Sequence, residues 1–358
     1  MLAQQDLKFW MRAARPQSFG QSGMPYVMGA LLGLSVLLYS GTATPLTIGI
    51  ALLMGVLGMA GIIFAHAGMN LFDDYFDMKK GAVEQRDELI DGGFRARLGK
   101  CGYLKDGSVT LADTKRVASL FVIVALIIGA VIFAVRGWEV LIFAGITLVL
   151  GFSYAGPPLR LSYRGFGELV IGIIFGPVLV IAAAFVVSGQ ITMLAIFSSI
   201  PIGLLVANIV HMHAVMDFGP DKAAQRKTLP ILLGSERAGV MANVVFVVLA
   251  QAIVLAGVVL GYLPVVALLA VLTYPLTIVF IQWALSYAHS KGQDETPFQP
   301  QKWMGQFGDW EGYRKAGLDW FMARWLLARN LVAQMTLVLV IAAFTPWYVP
   351  WGQIIPWI

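Results

Sequence analysis

Leu53-Met-Gly-Val-Leu-Gly-Met-Ala-Gly-Ile-Ile-Phe-Ala-His-Ala-Gly-Met-Asn70-Leu-Phe-Asp73-Asp74-Tyr-Phe-Asp77 runs without a formal charge as far as Phe72 and then sets three carboxylates close together. An apolar stretch of about 20 residues is what a helix needs to cross the hydrocarbon core. Carboxylates are costly beside a bilayer, so a cluster there marks a functional site. On a helix, Asn70, Asp73, Asp74 and Asp77 fall within about a third of a turn, which gathers three carboxylates and an amide oxygen on one face. A second cluster, Asp217-Phe-Gly-Pro-Asp221, follows a later apolar run. Two such faces opposed can hold hard cations. Mg²⁺ takes a few carboxylate oxygens and leaves positions for phosphate oxygens, so the pattern suits a diphosphate.

The whole chain shares the character of that first stretch. Of its 358 residues 58% are hydrophobic and 13% charged, against about 25% charged in soluble domains, and the mean hydropathy is +0.77. Nine apolar spans are expected, near residues 24–40, 46–68, 118–135, 138–155, 167–187, 191–210, 238–260, 264–287 and 328–349. Lys and Arg sort by loop, as the positive-inside rule requires: of 25 basic residues, Arg136 alone falls on the outer side. The N-terminus is therefore expected in the cytoplasm and the C-terminus outside. The net charge of +5 reads as topology and attraction to anionic lipid, with no nucleic-acid partner. No cleavable signal precedes the first span, and the single Cys101 excludes a disulfide within the chain.

The clusters follow the second and sixth spans and so emerge on one side of the membrane. Residues 81–117 are long enough, and rich enough in turn signals, to form a cytoplasmic lid over the first cluster. Residues 290–329 carry Trp303, Phe307, Trp310, Tyr313, Trp320, Phe321 and Trp325 among basic residues, which reads as an interfacial insertion lying in the headgroup region.

Asn70-Leu-Phe-Asp-Asp-Tyr-Phe-Asp-Met-Lys-Lys-Gly81 resembles the first aspartate-rich motif of the UbiA superfamily of intramembrane prenyltransferases, in the form found in its menaquinone branch. Trp10-Met-Arg-Ala-Ala-Arg-Pro16 is similar to that branch's N-terminal signature. Tyr154-Ala-Gly-Pro-Pro-Leu159 with Tyr163-Arg-Gly-Phe-Gly-Glu168 resembles its central loop, and Arg226-Lys-Thr-Leu-Pro-Ile-Leu-Leu-Gly234 the tail of its second motif.

The resemblance implies an all-α bundle of nine transmembrane helices in the inner membrane, a single domain around a cavity open to the cytoplasm. It also implies Mg²⁺-dependent transfer of a polyprenyl group from polyprenyl diphosphate to an aromatic acceptor, 1,4-dihydroxy-2-naphthoate in first place. Asn70, Asp74, Asp77, Asp217 and Asp221 are then the metal ligands, with the four aspartates catalytic. Arg15, Asp73, Tyr154, Arg160, Tyr163, His213, Arg226 and Lys227 are the candidates for contact with diphosphate or acceptor, and Arg164 stands beside them. Membrane lipid is expected as a partner, and no obligate protein partner. The alternatives are another acceptor (4-hydroxybenzoate, homogentisate or a non-aromatic one), cyclisation of the prenyl chain, or, in another class, a cation-coupled transporter, which would need acids within its spans. Asp73 stands where the branch usually has Asn, and His213-Ala-Val-Met216 replaces its Asn-Asn-x-Arg.

Overall fold

The computed structural model describes residues 5–91, 101–291 and 297–345. Among them the chain is all α-helical, with an isolated bridge between Arg164 and Lys227. The long helices are α1 (Pro16–Tyr39), α2 (Pro45–Lys80), α3 (Leu111–Arg136), α4 (Glu139–Ala155), α5 (Gly167–Ser188), α6 (Met193–Met216), α7 (Glu236–Val259), α8 (Val265–Ser290) and α9 (Asp319–Phe344). All but α4 are long and apolar enough to span a membrane. With 17 residues, α4 reaches about 26 Å at 1.5 Å per residue, short of a core of about 30 Å. The expected nine spans are thus eight full-length candidates and one short apolar helix among the described residues. Large apolar side chains such as Leu52, Val56, Ile127, Val248 and Leu272 face outward, as lipid contact requires. This is a multi-pass membrane protein.

Helices and apolar runs do not end together. The apolar stretch of α2 fades near residue 68, yet the helix continues through the acid cluster. It is started by a Thr44/Thr47 capping box with Pro45 behind it, and closed by Gly81 at φ 72°, whose N–H returns to the carbonyls of Asp77 and Met78. The acids of the first cluster are therefore fixed by one rigid rod. In contrast, α6 stops at Met216, Asp217 caps it, and a separate short helix, Phe218–Ala223, carries Asp221.

The innermost helices are α1, α5, α6 and α9. Their close approach is made by glycine, since without a hydrophobic drive between helices in lipid, small residues are what let backbones touch. On α1, a Cβ at Gly29 or Gly33 would run into the carbonyl oxygens of Val180 and Ala184 on α5. Where α5 crosses α6, a Cβ at Gly176 would strike the backbone of Gly203. That crossing falls in the turn Ile174–Val178, where Pro177 withholds a backbone N–H and the helix widens to a π-type turn.

Arg136, the exception to the charge rule, has a structural role. Its Nε donates to Val186 O at 2.6 Å and its Nη2 to Val187 O at 2.8 Å, satisfying carbonyls that the end of α5 leaves open and opposing that helix's negative pole. Arg136→Ala is expected to cost about 1–2 kcal/mol, visible as a lower thermal midpoint in detergent; an unchanged midpoint would show the cap to be inert.

Two expectations need adjustment. Residues 290–329 do not form a headgroup helix: Phe298, Phe307, Trp320 and Phe321 are buried in the core packed around α6, α8 and α9. The last helix begins at Asp319 and not near residue 328, so Trp320, Phe321 and Trp325 belong to a spanning element. Buried Arg324 explains how a cation enters it. Its Nε donates to Trp283 O at 2.9 Å, its Nη1 to Trp320 O, and its guanidinium lies 5.1 Å from the Tyr287 ring centre. Residues 292–296 of that segment and 92–100 of the expected lid lie outside the described residues. The rest of the lid segment forms helices Ala82–Asp91 and Gly102–Lys105, joined by the Asp87–Lys105 ion pair.

Candidate active site

A cavity of about 820 Å³ opens between α2, α4, α5, α6 and α9. Both acid clusters line it: Asn70, Asp73, Asp74 and Asp77 from α2, Asp217 and Asp221 from the end of α6 and the helix after it. Asp74, Asp77, Asp217 and Asp221 are buried, at 1%, 3%, 7% and 5% exposure. Carboxylates so far from water are held there by partners.

On the first cluster the partners come from distant chain. The N-terminal helix Leu7–Ala13 is anchored by Trp10, buried with Leu71, Phe72, Val117 and Phe121, and the turn after it places Arg15 at φ 60°. Arg15 Nη2 meets Asp73 Oδ2 at 3.1 Å and Asp74 Oδ1 at 3.3 Å, and donates to Asn70 O at 3.0 Å. Burial works against the guanidinium's charge, but Asp74 and then Asp73 outweigh it, so its pKa is raised. The Asn70 Nδ2 donates to Ala14 O at 2.8 Å and to Ser18 Oγ at 3.0 Å, which fixes the amide with its nitrogen toward the N-terminal segment. Tyr103 donates to Asp74 Oδ2 at 3.1 Å. Burial first, then Asp74, push its phenol up in pKa, so it stays a donor.

Tyr163 plays the same part for Asp77, donating to Oδ1 at 2.5 Å. Burial and Asp77 raise its pKa while Arg226 opposes. Its ring lies between two cations, Lys80 Nζ at 3.7 Å and the Arg226 guanidinium at 4.6 Å from the centre. Burial disfavours the charge on Arg226, but Asp221, followed by Tyr163 and Asp77, holds it on. One tyrosine thus couples the two clusters.

Of the remaining candidates, Tyr154 and His213 line the cavity, whereas Arg160, Arg164 and Lys227 are not among the lining residues. Arg164 and Lys227 are exposed, and Arg164 Nη2 donates to Pro158 O at 3.3 Å. Sequence reading missed Tyr103, the Glu168–His211 pair and the wall supplied by α9. Glu168 lines the cavity, and its Oε1 lies 3.3 Å from His211 Nδ1, while His211 Nε2 is 2.8 Å from Gly239 O. A nitrogen facing a carbonyl must carry a proton, so a further proton is shared between Nδ1 and Glu168. Aspartate spacing gave no signal for any of these, because their partners sit on other elements.

Among the described residues no group of three His, Cys, Asp or Glu side chains converges to hold a metal alone. The donor set is nevertheless hard oxygen throughout, in excess over Arg15, Arg226 and Lys80. Such a set fits Mg²⁺, which is commonly bound through one or two carboxylates and the oxygens of a substrate phosphate.

The model of the UbiA prenyltransferase family matches residues 26–308, most of the chain. The chain belongs to the UbiA prenyltransferase family. Among its relatives is the 1,4-dihydroxy-2-naphthoate octaprenyltransferase of Bacillus subtilis, 28% identical over 63% of this chain and 65% of that protein. The 2-carboxy-1,4-naphthoquinone phytyltransferase of Synechocystis is 28% identical over 56% of this chain and 64% of its own length. The match thus covers just under two thirds of these curated relatives. The fold agrees with solved structures: a digeranylgeranylglyceryl phosphate synthase (TM-score 0.58, 16% identity, 94% of this chain and 98% of that one), and a UbiA homolog from Archaeoglobus fulgidus bound to GPP and Mg²⁺ (TM-score 0.51, 16% identity, 92% and 99%). Within the UbiA family match fall both acid clusters, Tyr163 and Arg226; Arg15 precedes it and α9 follows it.

Proposed function

We propose that this protein transfers a polyprenyl group from polyprenyl diphosphate to an aromatic acid, 1,4-dihydroxy-2-naphthoate, with loss of its carboxylate, in the cytoplasmic membrane. The observation that carries this is the pair of buried acid clusters, from α2 and from the end of α6, on one cavity with Arg226, Lys80 and Arg15 beside them. The two naphthoate and naphthoquinone relatives support the acceptor. The sorting of Lys and Arg among the loops supports a cytoplasmic N-terminus, an outer C-terminus and a cytoplasmic opening.

Asn70, Asp74, Asp77, Asp217 and Asp221 would hold Mg²⁺ against the diphosphate. Bound there, the metal supplies neutralisation of the charge that grows on the leaving diphosphate. Arg226 and Lys80, on either side of Tyr163, add fixed positive charge where that anion departs. Tyr163 and Tyr103 donate to Asp77 and Asp74 and keep each carboxylate in one orientation. The apolar bundle keeps water from the allylic cation, which the electron-rich ring of the acceptor attacks.

The test is to incubate purified protein with Mg²⁺, allylic prenyl diphosphates of several lengths and a panel of aromatic acids, and to identify products by mass. The expected product is a prenylated naphthalene-diol lacking the carboxylate. Diphosphate release with a cyclised hydrocarbon, or a product from another acceptor, would replace this reading.

A further inference from the structure

Beneath each acid cluster lies a histidine one helical turn farther along its helix, about 5 to 6 Å inward: His66 before Asn70 on α2 and His213 before Asp217 on α6. Each lines the cavity and each packs on aromatic rings. His66 lies between Phe19 and Phe175, both at 5.2 Å between ring centres, and its Nδ1 is bonded to Ser22 Oγ at 2.8 Å. His213 packs on Phe321 at 5.0 Å and Trp325 at 5.9 Å, which stand one turn apart on α9.

The second group differs in one respect. The indole Nε1 of Trp325 is buried and makes no hydrogen bond with any described residue, though the side chain borders the cavity. Buried donors are normally satisfied, and the cavity is where a partner for this one can enter. On the same indole rests the guanidinium of Arg329, 5.8 Å from the ring centre, which favours a ligand carrying negative charge. Depth fits as well. In a transfer reaction the attacking carbon must come within about 3–3.5 Å of the carbon bearing the diphosphate, so a ring held about one turn inward of Asp217 is at the level where that carbon emerges.

We propose that His213, Phe321 and Trp325 form the acceptor subsite, where a planar aromatic acid or phenol lies against their rings and one of its oxygens accepts a hydrogen bond from Trp325 Nε1–H. This rests on the prenyl-transfer reading above. The apolar His66 group is left to the isoprenoid side of the cavity.

The experiment measures kcat and KM for acceptor and donor separately, in the full-length protein and in Trp325→Phe and Phe321→Leu. Trp325→Phe keeps the aromatic face and removes only the donor. It should raise the acceptor KM about tenfold and leave the donor KM within about twofold. A series of acceptor analogues, each lacking one oxygen, supplies a readout that loose packing would not produce. One analogue should bind about tenfold worse to the parent protein, with no further loss in Trp325→Phe. Phe321→Leu should weaken every acceptor alike. An acceptor KM unchanged in both variants, or donor and acceptor KM rising together, overturns the subsite while leaving prenyl transfer in place. Failure of the parent protein to prenylate any aromatic acceptor overturns the function and the subsite together.

Discussion

Asp217→Ala is expected to lower kcat/KM for prenyl transfer by at least about a thousandfold, roughly 4 kcal/mol of transition-state stabilisation, and Asp74→Ala to do the same. Each carboxylate is buried on the cavity wall, and they belong to different helices, so neither can stand in for the other. The two variants should still yield folded, monodisperse protein. Removing one anion from a wall crowded with like charge relieves repulsion, so the thermal midpoint should hold or rise. Steady-state kinetics with thermal denaturation in detergent separate the two effects. Activity within tenfold of the parent in either variant, or turnover that survives excess EDTA, would refute the clamp.

Gly203→Leu is expected to abolish the folded state. At the crossing of α5 and α6, Gly203 lies against Gly172, Gly176 and Pro177, and most of what its side chain would meet is backbone. Backbone cannot give way as a flexible side chain does, so the helices must separate along the contact that supports one wall of the cavity. The comparison is Gly129→Leu on α3, where a Cβ meets nothing within 4 Å. Size-exclusion profiles should show Gly203→Leu aggregated or absent and Gly129→Leu like the parent. Equal behaviour of the two would mean that the glycine contact is dispensable.

What could be read from the sequence was what a single helix decides. Asn70, Asp73, Asp74 and Asp77 share a face because of helical rotation alone, and α2 delivers them to the cavity on that face. Span ends were less legible, since hydropathy marks the membrane and not the helix: α2 and α6 both outrun their apolar stretches. The aromatic segment misled for a related reason. Tryptophans beside arginines suit a headgroup layer and a core equally well by composition. The difference was made by α6 and α8, which receive Phe307, Trp320 and Phe321, and by carbonyls that accept from Arg324. Pairings such as Tyr163 with Asp77, 86 residues apart, or Glu168 with His211, 43 apart, follow from tertiary packing and leave no periodic trace. Tyr163 was nominated because its loop resembled a motif; Tyr103, without such company, was not.

Arg15 bears on how the site passes from rest to use. Its guanidinium already answers the charge of Asp73 and Asp74, so these carboxylates are not waiting bare for a counter-ion. Any incoming cation that seeks them enters a competition with a resident one, and the contest is settled by whatever third party can reward the guanidinium for letting go. A phosphate oxygen is such a party, because it offers the displaced arginine a new anion. Loading of the site is then an exchange among ions, in which cation and anion arrive most favourably as a pair.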